Sequence, residues 1–112
     1  YTIRKVGTGP VPNPNDSVII HYKGYLPKGA LFQDSYIKNS PMRTTPDGLI
    51  EGMKEIIQLM PEGSLWRIYI PSALAYGENG VPGLIPIFSA VIFDLELVTV
   101  KPGKRTRERK KN

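Results

Sequence analysis

The sequence predicts an α+β fold, a curved antiparallel sheet of about five strands wrapped around one short helix. Three observations carry that prediction. Only residues 48–60, GLIEGMKEIIQLM, have a helical period: Leu49, Met53, Ile56 and Met60 fall at i, i+4, i+7 and i+11, with Ile50 and Ile57 widening the stripe. Strand-like patterns flank that stretch on both sides. A helix of about three turns is marginal alone, so its apolar stripe needs the sheet to cover it.

Taken in order, residues 1–6 alternate Tyr1 and Ile3 with Thr2 and Arg4 and predict a first strand, closed by the turn-forming GTGPVPNPN of residues 7–15. Residues 17–26, SVIIHYKGYL, predict a second strand with Val18, Ile20 and Tyr22 on the inner face and Ile19, His21 and Lys23 on the outer. After a turn at Pro27, Lys28 and Gly29, residues 30–32 resume extended structure, and residues 33–47 read as a long polar loop. Asp47 is the expected helix N-cap, and Pro61 with Gly63 ends the helix. Residues 64–71, SLWRIYIP, are apolar on both faces, as in a central strand. Trp66 there is expected to be a core aromatic.

Residues 72–88 are too rich in Gly and Pro for regular structure, yet Tyr76, Val81, Leu84, Ile85, Ile87 and Phe88 are too apolar for an ordinary solvated loop; such a loop is expected to cover something. Residues 89–100 alternate most cleanly, with Val91, Phe93, Leu95 and Leu97 inward and Asp94 and Glu96 outward. From Lys101 the chain has no apolar residue and is expected to be a disordered tail, leaving one domain over residues 1–100 and a tail over residues 101–112.

The net charge of +5 belongs to that tail. Residues 101–112 hold seven basic side chains and one Glu, whereas residues 1–100 hold eight basic and nine acidic ones, a net of −1. The tail has no interleaved aromatic residue, which argues against specific nucleic-acid binding by stacking. The absence of Cys excludes disulfides and thiolate metal sites. His21 is the single histidine, expected to be structural or solvent-facing, so neither a metal centre nor a nucleophile–base pair is expected. No apolar run reaches the roughly 18 residues of a membrane-spanning helix. Phosphate-binding glycine motifs and cofactor sites are likewise not expected, which leaves an apolar concave site or a binding surface.

Five motifs stand together in order: VIIHYKG (residues 18–24), GALF (29–32), LAYG (74–77), GVPGLIP (80–86) and IFDLEL (92–97). As a set they make the chain resemble the FKBP-type peptidyl-prolyl cis-trans isomerases, and the run EIIQLMPEGSLWRIYIPSALAYG is most similar to the bacterial macrophage infectivity potentiator (Mip) subgroup. The resemblance implies an FKBP-like fold and an enzyme that accelerates X-Pro bond rotation during protein folding. Its pocket would have Tyr22, Phe32, Tyr76 and Phe93 as catalytic walls. Gln33, Asp34, Met42, Leu49, Ile50, Met53, Val81, Leu84 and Ile85 would bind substrate around them. The Ile50 N–H and the Tyr76 hydroxyl would donate to ligand carbonyls. Partners implied are proline-containing peptides, unfolded client proteins and macrolide inhibitors of the family; the compartment implied is the periplasm or cell envelope, with the cytoplasm as the alternative.

Three departures from the family pattern bear on turnover. Gln33 stands where Asp is usual, with Asp34 one residue later; Met53 replaces a Trp at the pocket floor; and Met42 replaces an aromatic wall. Ile87 also replaces the second proline of an IPP run. These replacements predict a looser pocket with reduced or altered activity, and they leave open a second reading, a protein-binding or chaperone module with little turnover.

Overall fold

The computed structural model describes residues 1–37 and 39–103. Among them six strands make one antiparallel sheet: β1 (Thr2–Lys5), β2 (Ser17–Tyr25), β3 (Leu31–Asp34), β4 (Met42–Thr44), β5 (Leu65–Ile70) and β6 (Val91–Lys101). Helix α1 (Glu51–Ile57) lies between β4 and β5 in the chain. The order across the sheet is β1-β5-β6-β2-β3, and β4 also pairs with β2. Thus β3 and β4 share one edge of β2: β4 takes its first half (Val18↔Thr44, Ile20↔Met42) and β3 its second (Lys23↔Asp34, Tyr25↔Leu31).

The alternation of β6 explains the core. Val91, Phe93, Leu95 and Leu97 are buried, joined by Val18 and Ile20 of β2 and by Trp66, Ile68 and Ile70 of β5. Met53 and Ile57 of α1 and Met60 beyond it close this layer, each such side chain contributing roughly 1.5–3 kcal/mol by leaving water. Gly52 lets the helix approach β5 closely, since a Cβ there would stand 2.5 Å from Ile70 Cγ2. Trp66 is buried, and Tyr1 stacks on its ring at 4.5 Å.

Four expectations are corrected. The helix is seven residues rather than three turns over 48–60, and Asp47 is not its N-cap. Pro46 opens a separate 3-10 turn, Pro46–Gly48; Leu49 and Ile50 are then both extended, so helical hydrogen bonding starts only after Ile50. Asp47 instead pairs with Lys54 at 3.2 Å, an exposed pair of small energetic weight. The polar loop of residues 33–47 is not one loop, because Gln33 and Asp34 finish β3 and Met42–Thr44 forms β4; both strands exist through pairing with β2 rather than through a pattern of their own. Every residue of β1 is exposed, as befits an edge strand, so its alternation does not bury one face.

The fourth correction concerns the end of the domain. Lys101 still belongs to β6, and the Gly103 N–H donates to Asp16 Oδ1 at 2.9 Å. The remainder of the expected tail, residues 104–112, lies outside the described residues. Asp16 is buried and its other carboxylate oxygen accepts the Asn13 N–H at 2.8 Å, so one side chain ties the entry to β2 to the exit from β6. Replacing Asp16 by Ala leaves two N–H groups without their acceptor. We expect Asp16→Ala to lose about 2–3 kcal/mol in urea unfolding, the usual cost of stranding partners of a charged acceptor; an unchanged midpoint would contradict this role.

Candidate active site

The concave side of the sheet, where α1 crosses it, holds a cavity of about 140 Å³. Tyr22 and Ile20 come from β2, Phe93 from β6 and Met53 from α1, each on the inward face that its strand or helix period dictates. Leu49 and Ile50 enter from the extended link before α1, Gln33 and Met42 from β3 and β4, and Tyr76 from the loop after β5. Met53 is buried and Met42 is exposed at the rim. The rings are set edge to face: Tyr22 and Phe93 have centroids 6.3 Å apart at 67°, and Phe32 and Phe93 are 5.6 Å apart at 81°, the arrangement aromatic quadrupoles favour.

The lining carries no Asp, Glu, Lys, Arg or His. Its polar groups are the Tyr22 and Tyr76 hydroxyls, the Gln33 amide and the backbone of the Leu49–Ile50 link. Because Ile50 is extended (φ −60°, ψ 154°) at the start of α1, its N–H lies outside the helical ladder, and no described residue accepts it. Burial, and then the neighbouring Tyr22, push the Tyr76 hydroxyl above its ordinary range, so it stays protonated and able to donate.

Eight of the residues expected at the site line this cavity: Tyr22, Gln33, Met42, Leu49, Ile50, Met53, Tyr76 and Phe93. Five do not. Phe32 stands behind Phe93 and lines an adjoining depression with Gln33 and Asp34. The Asp34 carboxylate accepts the Tyr36 N–H at 2.9 Å and so serves the turn after β3. Val81 and Ile85 bridge each other across a tight turn, which sinks Ile85 into the core and turns Leu84 outward. Three contributors were missed, Ile20, Gly48 and Gly24. Ile20 shares the inward face of β2 with Tyr22, a signal present in the alternation. Gly24 is the next inward position, and a Cβ there would stand 2.7 Å from Phe32 and 2.8 Å from Phe93, so its lack of a side chain lets the two rings meet. Nothing in the pattern marks Gly48 as a wall.

Residues 9–98 match the family model of FKBP-type peptidyl-prolyl cis-trans isomerases. The chain belongs to that family. It is 39% identical over 101 residues to the peptidyl-prolyl cis-trans isomerase Mip of Coxiella burnetii, covering 90% of this chain and 44% of that one. It is also 39% identical over 105 residues to the FKBP-type isomerase FkpA of Escherichia coli K12, covering 94% and 38%. The chain therefore spans less than half the length of these curated relatives. Among solved structures, a peptidyl-prolyl cis-trans isomerase from Pseudomonas syringae pv. tomato superposes with a TM-score of 0.83 at 39% identity, over 90% of this chain and 74% of that one. FkpA from Escherichia coli gives 0.84 at 38% identity, over 91% and 47%. The FKBP-like α+β fold expected from the sequence is thus the fold found.

A larger depression of this FKBP-type domain lies elsewhere, about 660 Å³ on the outer face of the sheet between Arg4, Lys23, Tyr36, Leu65, Arg67 and Asp94. Its size does not make it the site. Asp94 holds Arg67 through two hydrogen bonds of 2.7 and 2.9 Å, and that guanidinium keeps the carboxyl below the ordinary aspartate range. Tyr36 donates to Glu96 and stacks on His21, whose Nδ1 lies 2.7 Å from Ser35 Oγ. Asp94, Arg67, Tyr36 and His21 each already have a partner, and the His21 contacts fit the structural or solvent-facing place that its strand position implies. Among the described residues no group of His, Cys, Asp or Glu is arranged to hold a metal ion, and no helix is long and apolar enough to cross a membrane.

Proposed function

We propose that this domain accelerates cis-trans rotation of X-Pro bonds in polypeptides by binding the proline in the Tyr22–Met53–Phe93 cavity. The observation that carries the reading is an uncharged aromatic cavity lined by Ile50, whose N–H no described residue accepts, and by the Tyr76 hydroxyl. Rotation of the prolyl amide is slow because amide resonance must be broken, a barrier of roughly 18–20 kcal/mol. No covalent step is needed. The planar amide is the more polar state, and a dry apolar wall disfavours it relative to the twisted amide, whose nitrogen is decoupled from its carbonyl. Tyr22 and Phe93 clasp the ring over Met53, while the Ile50 N–H and Tyr76 hydroxyl hold the neighbouring carbonyls so that only the prolyl bond turns.

Gln33, Met42 and Met53 modify this scheme. A neutral amide at Gln33 both donates and accepts, and two thioethers give softer walls than aromatic rings, so we infer altered rather than abolished turnover. Proline-containing peptides and unfolded proteins are the substrate class; macrolide ligands of the family would compete for the same cavity. The periplasm or cell envelope is the compartment favoured by the similarity to the Mip subgroup, and recovery of the protein only in a cytoplasmic fraction would contradict it.

The test is the cis-to-trans rate of a short X-Pro peptide with and without the domain: acceleration supports the reading, and none from the folded protein ends it. The pH profile is a second check. With no carboxylate, amine or imidazole in the cavity and Tyr76 raised, kcat/KM should be flat between about pH 6 and pH 9. A titration in that range would mean that an ionisable group outside this cavity takes part.

A further inference from the structure

We propose that the outer face of the sheet docks on anionic lipid headgroups and so turns the cavity away from the membrane surface. The charges of this domain are sorted by side. Arg4, Lys23 and Arg67 line the large outer depression, and Arg43 and Lys101 line a second one of about 230 Å³ beside Ile19 and Thr99. Ile19 alternates with buried Val18 and Ile20, which puts this second depression on the outer face as well. Lys5 joins them as the cross-strand partner of Leu65. On the cavity side, the 3-10 turn, α1 and the loop after β5 hold exposed Asp47, Glu51, Glu55 and Glu78, with Lys54 among them.

The cations of the outer face are free, and its acids are not. Among the described residues Arg4, Lys5, Arg43 and Lys101 make no ion pair, and Lys23 only sits over the Tyr36 ring at 5.7 Å. Asp94 is held by Arg67, Glu96 accepts the Tyr36 hydroxyl, and Asp34 accepts the Tyr36 N–H. A bulge brings Arg4 to this face, because the register of β1 on β5 shifts between Ile3 and Lys5 and leaves Arg4 without a strand partner. Lys101 ends β6, and the sequence that follows, residues 104–112, holds six Lys and Arg against Glu108.

Spacing selects the occupant. Arg4 on β1 and Arg43 on β4 stand four strand steps apart, roughly 19 Å, with Asp94 and Glu96 of β6 between them. A nucleic acid carries phosphates at a dense, fixed spacing and would press them against those carboxylates. Anionic lipids move within their layer, so they gather under each cation and leave the acids facing neutral headgroups. The same surface repels the acidic cavity side, which sets the orientation. Isomerisation itself is not needed for this docking.

The experiment is co-sedimentation of the full chain with vesicles of phosphatidylglycerol and phosphatidylcholine in equal parts, beside vesicles of phosphatidylcholine alone. We expect binding to the anionic vesicles only, lost in about 1 M salt, where the screening length shrinks to about 3 Å. An Arg4→Gln/Arg43→Gln variant should bind about twentyfold more weakly, near fivefold per cation, while its rate on a short X-Pro peptide stays that of the wild type. Glu55→Gln/Glu78→Gln, on the cavity side, should bind as the wild type does. Undiminished binding by Arg4→Gln/Arg43→Gln would make residues 104–112 the contact and overturn the role of the face. A gain of similar size in Glu55→Gln/Glu78→Gln would overturn it too, since net charge alone would then decide. So would displacement by inorganic phosphate at constant ionic strength, the mark of a single anion pocket, or binding to duplex DNA without binding to vesicles. If the first variant melts early, Lys23→Gln/Lys101→Gln puts the same question to the same face.

Discussion

Phe93→Ala is expected to cost about 3–5 kcal/mol of stability and to abolish isomerisation. Phe93 is fully buried at the centre of β6, meets Tyr22 and Phe32 edge to face, and lies opposite Gly24 of β2 and Ile68 of β5. Truncation removes a core ring and the cavity wall together. Because small domains have only about 5–15 kcal/mol to lose, urea unfolding should show a large fall in midpoint. Phe93→Leu separates the two roles: it keeps the position apolar and removes fewer buried carbons than Ala, so it should cost less stability than Phe93→Ala, while kcat/KM should still fall about tenfold as the aromatic face is lost. A Leu variant as active as the wild type would show that the ring serves only the core.

Gly24→Ala is the second large effect, and it acts mainly on the site. The added Cβ meets ring atoms of Phe32 and Phe93 at distances no relaxed structure tolerates, so one ring must swing away. Overpacking of this kind costs about 1–3 kcal/mol. Swinging Phe93 would narrow the cavity, whereas swinging Phe32 would open it toward the adjoining depression; either way, binding of an X-Pro peptide should weaken more than stability falls. Calorimetric binding beside thermal unfolding checks this. Unchanged affinity with lowered stability would mean that the strain is absorbed elsewhere.

The parts legible in the sequence are those where one residue period runs long enough to be seen. In β6, Val91, Phe93, Leu95 and Leu97 alternate over seven residues, and all four are buried. In β2, Val18, Ile20 and Tyr22 share the inner face despite the register shift after Ile19. By contrast β4 is three residues long and exists because Ile20 and Val18 offer it an edge, information held in β2 and not in Met42–Thr44. The ends of α1 were misread because the apolar stripe continues through Leu49, Ile50 and Met60, which pack on the same core without being helical. Burial periodicity marks what faces the core, and backbone hydrogen bonding decides where the helix stops.

The site divides the same way. Residues on strands and the helix, Tyr22, Met53 and Phe93, fall where their periods put them, and the family motif adds Tyr76 and Ile50. Loop positions did not transfer as well. Leu84 and Ile85 are adjacent in one motif, yet the Val81–Ile85 bridge sends one to solvent and the other to the core, a choice set by turn geometry that apolar composition does not encode. The outer depression was invisible beforehand because Arg4, Lys23, Arg67 and Asp94 become neighbours only through the strand order β1-β5-β6-β2.

The most direct measurement is an NMR titration of isotopically labelled protein with a short X-Pro peptide, read together with exchange spectroscopy of the peptide's cis and trans signals. The cavity account predicts cis-trans exchange peaks at substoichiometric protein, with the largest amide shifts at Ile50 and around Tyr22, Tyr76 and Phe93. Shifts centred instead on Lys23, Arg67 and Asp94, or binding at the cavity without exchange, would contradict it.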